Sequence, residues 1–157
     1  MYAGSFDPFT KGHESVVRRA LDVFDSVVVA IGANSNKRPL LSVESRLALI
    51  RKVFAGEPRV SAVAYEGLTV DAAQREGAGC LLRGIRGVSD MDEQGLAEVN
   101  RRLTGIPTVL MFTLPEHAHI SSTVVRDLLR WNRSADDLLP TGITTETLQS
   151  MINDQIK

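Results

Sequence analysis

The chain alternates short apolar runs with longer segments in which apolar residues recur at the spacing of a helix. Residues 27–31 form a continuous, mostly β-branched run, which is typical of a parallel strand covered on both faces. Residues 14–24 place apolar side chains at helical spacing, which predicts an amphipathic helix. Similar patterns predict further strands over residues 1–3, 60–64, 80–82 and 108–112. They also predict helices over residues 42–54, 67–77, 93–103, 121–131 and 146–155.

Strands that alternate with helices along the whole chain predict an α/β fold. Right-handed crossovers then arrange the five strands in one parallel sheet with helices on both faces. We find no linker, repeat or low-complexity segment, so we expect a single domain over residues 1–157. In open sheets of this kind, ligands bind beyond the carboxyl ends of the strands.

Composition narrows the classes of partner. The 157 residues are 43% hydrophobic and 24% charged, with a net charge of −1, so no basic surplus favours nucleic acid. No apolar run is long enough to cross a bilayer, and the N-terminus has no signal-peptide pattern. The single cysteine, Cys80, falls in a predicted buried strand, which excludes a disulfide framework within the chain. We therefore expect a cytoplasmic protein that binds neither nucleic acid nor a membrane.

The segment from Gly4 to His13 is the most informative part of the chain. It joins a strand end to a helix start, where unpaired backbone N–H groups and the helix dipole attract phosphate. Gly4 is expected to let a ligand approach the backbone, and Asp7-Pro8 to set a rigid turn. His13 falls in the first turn of the helix and points toward the same anion site. Because few residues precede this segment, either the first strand is short or further residues come before it.

Three later segments fall at the same predicted edge of the sheet. Lys37 and Arg38 follow the second strand, and Arg83 and Arg86 flank a glycine expected to allow a tight turn after the fourth. The hydroxyls of residues 121–123 begin a late helix. Each segment alone fits a solvated loop or a helix cap. Together at one edge they favour a site for a polyphosphate.

These motifs resemble those of a known superfamily. The Ser-Phe-Asp-Pro turn followed by Gly-His is similar to the signature of the nucleotidylyltransferases. Lys37 with Pro39, the Arg-Gly-Ile-Arg segment at 83–86 and Ile-Ser-Ser at 120–122 occur in the order found in the phosphopantetheine adenylyltransferase family. This resemblance covers essentially the whole chain. It implies a Rossmann-like nucleotidylyltransferase fold and a homohexamer.

The resemblance also implies a reaction. ATP and 4′-phosphopantetheine would give dephospho-CoA and pyrophosphate by in-line attack, without a covalent intermediate. The acceptor phosphate is largely ionised at neutral pH, so no general base is needed. By the resemblance, His13, Lys37 and Arg86 are the catalytic residues, with the charge of His13 left open. Magnesium is expected on the ATP phosphates, without a metal site on the protein.

The resemblance to the family also assigns roles to individual residues, by their positions in the matching motifs. The acceptor would be bound by Ser5, Lys37, Thr69 and Arg83. The ATP site would be lined by Ser5, Phe6, His13, Gly84, Ile85, Arg86, Glu93, His117, Ala118, His119, Ile120, Ser121, Ser122 and Thr123. Gln94 is the alternative to Glu93, because residues 90–94 depart from the family's pattern. His117 and His119 replace a stretch that is usually aromatic, and would face the same way on a strand.

Two other functions stay open at this stage. Adenylyl transfer to nicotinamide mononucleotide shares the opening loop and often the Ile-Ser-Ser-Thr segment. A non-catalytic nucleotide-binding protein is the second, motivated by the short first strand and the altered residues 90–94. Lys37, Pro39 and the arginines at 83 and 86 favour the phosphopantetheine enzyme over both.

Overall fold

The computed structural model describes residues 1–33, 38–87, 90 and 94–155. Five parallel strands form one sheet in the order β3-β2-β1-β4-β5. The strands are β1 (Tyr2–Gly4), β2 (Val27–Gly32), β3 (Val60–Tyr65), β4 (Leu81–Ile85) and β5 (Thr108–Phe112). The predicted α/β fold with a five-stranded parallel sheet is therefore confirmed.

Six α-helices in the described ranges connect and follow the strands. They are α1 (Lys11–Ala20), α2 (Val43–Val53), α3 (Thr69–Arg75), α4 (Gln94–Thr104), α5 (Ser122–Arg130) and α6 (Thr145–Asp154). The side chains of Thr10, Ser42, Ser121 and Thr144 each accept a backbone N–H three residues on, which explains where four helices begin. Within the described ranges, no helix combines the length and apolar character needed to span a bilayer.

Two hydrophobic cores cover the two faces of the sheet. On one face, side chains from α1, α2, α5 and α6 pack on alternate residues of β2, such as Val29 and Ile31. On the other face, Ala30 packs with α3 residues such as Val70, and α3 packs against α4. The pleat of β2 sends successive side chains to opposite cores, which explains its continuous apolar run.

The structure corrects three local predictions. β4 continues through Ile85, because Gly84 and Ile85 pair with Met111 and Phe112 of β5. Arg83 and Gly84 therefore lie within the strand and not in a loop after it. Cys80 precedes β4 and is half-buried instead of fully buried. The shared direction considered for His117 and His119 does not arise, because Pro115–His117 is a 3-10 helix followed by a turn and not a strand; proline at the first helical position fixes a helical φ.

The strand order determines where a ligand can bind. β1 lies between β2 and β4. The strands β2 and β3 extend the sheet on one side of β1, and β4 and β5 extend it on the other side. Such a switch in strand order opens a crevice beyond the carboxyl ends of the two strands. The segment after β1 and Arg86 after β4 both lie at this crevice.

Candidate functional site

A cavity of about 640 Å³, here the main cavity, opens beyond the carboxyl ends of β1 and β4. It brings together ten of the predicted site residues: Ser5, Phe6, His13, Arg83, Gly84, Arg86, Ile120, Ser121, Ser122 and Thr123. Arg83, Arg86 and Arg126 line it, while Asp90 is the one acidic side chain among its described lining residues. The main cavity therefore carries the positive charge that a polyphosphate requires.

Other predicted ATP-site residues lie elsewhere. Ile85 is buried within the fold. Residues 117–119 form the end of the 3-10 helix and the turn after it, outside the set of residues that line the main cavity. Of the predicted stretch 117–123, residues 120–123 line the main cavity.

His13 is held in one orientation by the start of α1. The backbone N–H of Thr10 donates to Nδ1 of His13 over 3.0 Å, and the Thr10 hydroxyl lies 2.9 Å from the same nitrogen. The backbone N–H of His13 faces the Thr10 hydroxyl in return, which completes a capping box. Because Nδ1 accepts a hydrogen bond, the proton of the neutral ring lies on Nε2. The imidazole is therefore a donor on the side not used by the cap.

The surroundings of His13 keep its ring uncharged. The rings of Phe6 and Phe9 lie with centroids 5.1 and 5.4 Å from the imidazole. Loss of water around the ring, together with the charge of Arg86, lowers the pKa of His13 from 6.5 to about 4. The charge that the sequence left open is thus settled for the free protein, where His13 is neutral at pH 7.

The segment after β1 is clamped from two sides. From α2, the buried side chain of Arg46 donates to the carbonyl oxygen of Ser5 over 2.7 Å. From α5, Arg126 donates to the carbonyl oxygen of Asp7 over 2.7 Å, and the Ser122 hydroxyl donates to that of Pro8 over 2.8 Å. These bonds hold the loop backbone so that His13 and Ser5 face one cavity.

The buried carboxylate of Asp7 joins this loop to the chain that precedes α2. Its two oxygens accept the backbone N–H groups of Leu40 and Leu41 over 2.7 and 2.9 Å. Hydrogen bonds to a carboxylate are stronger than those between neutral groups, so this contact anchors the segment between β2 and α2 beside the site.

Arg86 is oriented by a carboxylate four residues further along. Its Nε and Nη2 donate to the two oxygens of Asp90 over 3.1 and 3.3 Å, and its backbone N–H donates to Asp90 over 2.9 Å. These bonds to Arg86 lower the pKa of Asp90, which stays ionised. The pair holds the guanidinium at the cavity wall.

A smaller cavity of about 30 Å³, here the side cavity, lies on the α3–α4 face of the sheet. Its lining includes Thr69, Asn100 and Thr108, with Leu81 and Leu110 as apolar walls. Ala3 and Arg83 line both cavities. The two cavities therefore share a wall at these two residues.

Two glycines allow close packing at this site. A Cβ on Gly4 would lie 2.9 Å from the ring of Phe6, so the space expected for a ligand holds that ring instead. A Cβ on Gly84 would lie 3.1 Å from Val16 and 3.2 Å from the hydroxyl of Tyr2. Gly84 thus lets α1 lie close to β4, and it does not form the expected tight turn.

Known proteins with similar sequences identify the family. The family model described as Cytidylyltransferase-like matches residues 1–128. A phosphopantetheine adenylyltransferase from Phocaeicola vulgatus is 47% identical over 144 residues, which cover 91% of this chain and 95% of that protein. The chain belongs to the phosphopantetheine adenylyltransferase family.

Further relatives of the phosphopantetheine adenylyltransferase family agree. The protein of that name from Porphyromonas gingivalis is 45% identical over 147 residues, covering 93% of this chain and 96% of its own. The one from Bacteroides fragilis is 44% identical over 144 residues, covering 91% and 96%. The resemblance drawn from the motifs is therefore confirmed.

Two predicted residues of the phosphopantetheine adenylyltransferase pattern, Lys37 and Glu93, lie outside the described residues. The side chain of Gln94, the alternative to Glu93, lies outside them as well. Their predicted roles stay predictions. In the described part of the chain, no group of three or more histidine, cysteine, aspartate or glutamate side chains is placed to hold a metal ion.

The structure adds residues that sequence reasoning did not assign. Arg126 lines the main cavity, and its position one helical turn after Ser122 places both on the same face of α5, which was a usable signal. Asp90 likewise follows Arg86 at a spacing of four. Arg46 carried no comparable signal, because its partner, the carbonyl of Ser5, is 41 residues away in sequence.

Proposed function

We propose that this protein transfers the adenylyl group of ATP to 4′-phosphopantetheine, which gives dephospho-CoA and pyrophosphate. The observation that carries the proposal is that Arg83 lines both cavities. The larger is lined by cations and suits the triphosphate. The smaller is mostly apolar with a few polar groups, and its volume of about 30 Å³ admits only a few atoms of the acceptor's arm. Relatives named for this activity, with up to 47% identity, support the same reaction.

His13 acts as a neutral hydrogen-bond donor. Its Nε2–H stabilises charge that develops on the oxygens of the α-phosphate, while the bond from Thr10 to Nδ1 holds the ring in place. Donors held by the fold need no reorganisation when the transition state forms. Arg86 and Arg126 add positive charge from the adjoining walls of the main cavity.

The acceptor needs positioning more than activation. Its phosphate is already a nucleophile at neutral pH, so the site works without a serine, cysteine or catalytic base. Arg83, which lines both cavities, holds this phosphate, together with Ser5 of the main cavity. Thr69 and Asn100 face the acceptor's arm in the side cavity. Attack is then in line with the departing pyrophosphate, and no covalent intermediate forms.

Magnesium belongs to the same proposal as an ion carried by ATP. Bound to the phosphates, it would neutralise charge on the departing pyrophosphate. The described carboxylates near the site fit this view, because Asp90 is occupied by Arg86 and Asp7 by two backbone N–H groups. They leave the ion to the phosphate oxygens and water.

We propose a homohexamer in the cytoplasm as the working form. Val99 and Leu103 of α4 and Phe112 of the edge strand β5 are large apolar side chains that are 51%, 63% and 62% exposed. Exposed apolar groups of this size on one side of the fold favour contact with another subunit. Sedimentation of a monomer at working concentration would contradict the assembly.

The decisive experiment measures pyrophosphate release from ATP with 4′-phosphopantetheine as acceptor. We expect robust release by the wild type and a large loss in His13→Ala, with folding checked by circular dichroism. Release with nicotinamide mononucleotide but not with 4′-phosphopantetheine would establish the alternative acceptor. ATP binding by calorimetry without release on either acceptor would show a non-catalytic nucleotide-binding protein.

A further inference from the structure

Thr108, the first residue of β5, has a buried hydroxyl that the fold does not use. Its Oγ1 has no hydrogen-bond partner among the described residues. The same side chain lines the side cavity, together with Thr69, Arg83 and Asn100. No other buried side-chain oxygen or nitrogen in the described ranges lacks a partner.

A buried hydroxyl without a partner is unfavourable for folding. Valine has nearly the same shape, suits a strand as well as threonine does, and carries no polar group to desolvate. A hydroxyl in such a position is available to a partner that arrives from outside the fold. The side cavity is where that partner would enter.

The register of β4 and β5 gives the position of Thr108 relative to Arg83 along the sheet. Thr108 pairs with Leu81, whereas Arg83 pairs with Leu110, so Thr108 lies two residues further toward the amino ends of the strands. Two residues of strand correspond to about 7 Å. If the acceptor's arm runs from a phosphate at Arg83 into the side cavity, its next few bonds lie beside Thr108.

The chemistry of the acceptor fits these surroundings. In 4′-phosphopantetheine, a carbon bearing two methyl groups follows the phosphate ester, and a hydroxyl and an amide come next. Leu81 and Leu110 offer apolar contact for the methyl groups. The Thr108 hydroxyl can donate to the amide carbonyl or accept from the hydroxyl or amide N–H.

We propose that Thr108 is a specificity-determining residue, whose hydroxyl hydrogen-bonds the polar group of the acceptor's arm nearest the phosphate. This inference rests on the proposed function and deepens it. Thr108 favours acceptors that carry a hydroxyl or an amide beside it over phosphate esters whose arm is purely hydrocarbon, because only the former can form a hydrogen bond with its buried Oγ1.

The test compares Thr108→Val and Thr108→Ser by calorimetry with two ligands. 4′-Phosphopantetheine carries the polar group, and neopentyl phosphate carries only the phosphate and the branched carbon. For Thr108→Val we expect the Kd of 4′-phosphopantetheine to rise about five-fold to ten-fold, the loss of one neutral hydrogen bond. The Kd of neopentyl phosphate should not change, and Thr108→Ser should bind both ligands as the wild type does.

The unliganded proteins give a second readout. Thr108→Val should melt at or above the wild-type temperature, because it removes an unsatisfied polar group, whereas a merely structural hydroxyl would lower the melting temperature when lost. Should valine prevent folding, the pair Thr108→Ala and Thr108→Ser repeats the hydroxyl comparison.

Three outcomes would overturn the inference. Unchanged 4′-phosphopantetheine affinity in Thr108→Val would show that water alone serves the hydroxyl. An equal loss for both ligands would show general damage to the side cavity. Wild-type protein that binds ATP but not 4′-phosphopantetheine would overturn the proposed function as well, which separates that failure from the first two.

Discussion

The neutral state of His13 makes a testable prediction about stability at acid pH. The perturbation is His13→Gln, which removes the titrating group but keeps a residue suited to this position. Glutamine is a usual partner in a capping box, so its side-chain oxygen can still accept the backbone N–H of Thr10. The variant therefore separates titration of the imidazole from loss of the helix cap.

The size of the expected stability change follows from the pKa of His13 in the unfolded chain and in the folded protein. In the unfolded chain His13 titrates at its ordinary pKa of 6.5, whereas in the folded protein the pKa is about 4. Between these values the unfolded chain binds a proton that the folded protein excludes, so the free energy of unfolding falls as the pH falls. A gap of this size corresponds to about 3 kcal/mol lost between neutral pH and about pH 4.

Urea unfolding of both proteins across this pH range measures the effect. Asp90 and other carboxylates with lowered pKa values also lose their stabilising effect in acid, but they do so equally in both proteins. We expect the wild type to lose about 3 kcal/mol more than His13→Gln as the pH falls to about 4. Parallel stability curves would refute the reasoning, as would an imidazole NMR titration of His13 near 6.5.

Three further substitutions test the framework of the site. Asp7→Asn should lower the free energy of unfolding by about 2 kcal/mol in urea melts, because an amide cannot accept from Leu40 and Leu41 at both of its atoms; an unchanged midpoint would argue against the anchor. Arg126→Met should raise the KM for ATP about ten-fold through loss of a charged donor, and an unaltered KM in steady-state assays would remove Arg126 from the site. Gly84→Ala should destabilise by about 1–3 kcal/mol through overpacking, and this cost should be smaller when it is measured in a Val16→Ala background if the 3.1 Å contact is the cause.

Much of the fold was predictable from local pattern. The apolar run of β2 and the hydroxyl caps Ser42 and Ser121 are signals contained within a few neighbouring residues. The end of β4 was not predictable in this way. Arg83 and Gly84 are poor strand formers, and they are extended because β4 pairs with β5 through Ile85. That pairing depends on a strand more than 20 residues away.

Some features of the candidate site were likewise predictable from sequence, and others were not. The motif located His13, and the predicted sheet placed it beside Arg83 and Arg86. The sequence could not show its charge, because the low pKa depends on the packing of Phe6 and Phe9 around the ring. Nor could it show that Arg126 reaches the carbonyl of Asp7, since 119 residues separate the two in sequence. Motifs locate the chemical groups, and tertiary contacts decide their protonation and orientation.

The position of Arg83 between the two cavities has a consequence for the order of events in the proposed reaction. Both substrates are anions that are attracted by the guanidinium of Arg83. When one of them is bound, its negative charge weakens the attraction between Arg83 and the other. The product joins their two halves covalently and spans both cavities as a bidentate ligand. Once one half is bound, the tether holds the other at a high effective concentration, without any new contact. In the proposed reaction the whole site therefore chelates dephospho-CoA, and we expect the release of that product to be the slowest step.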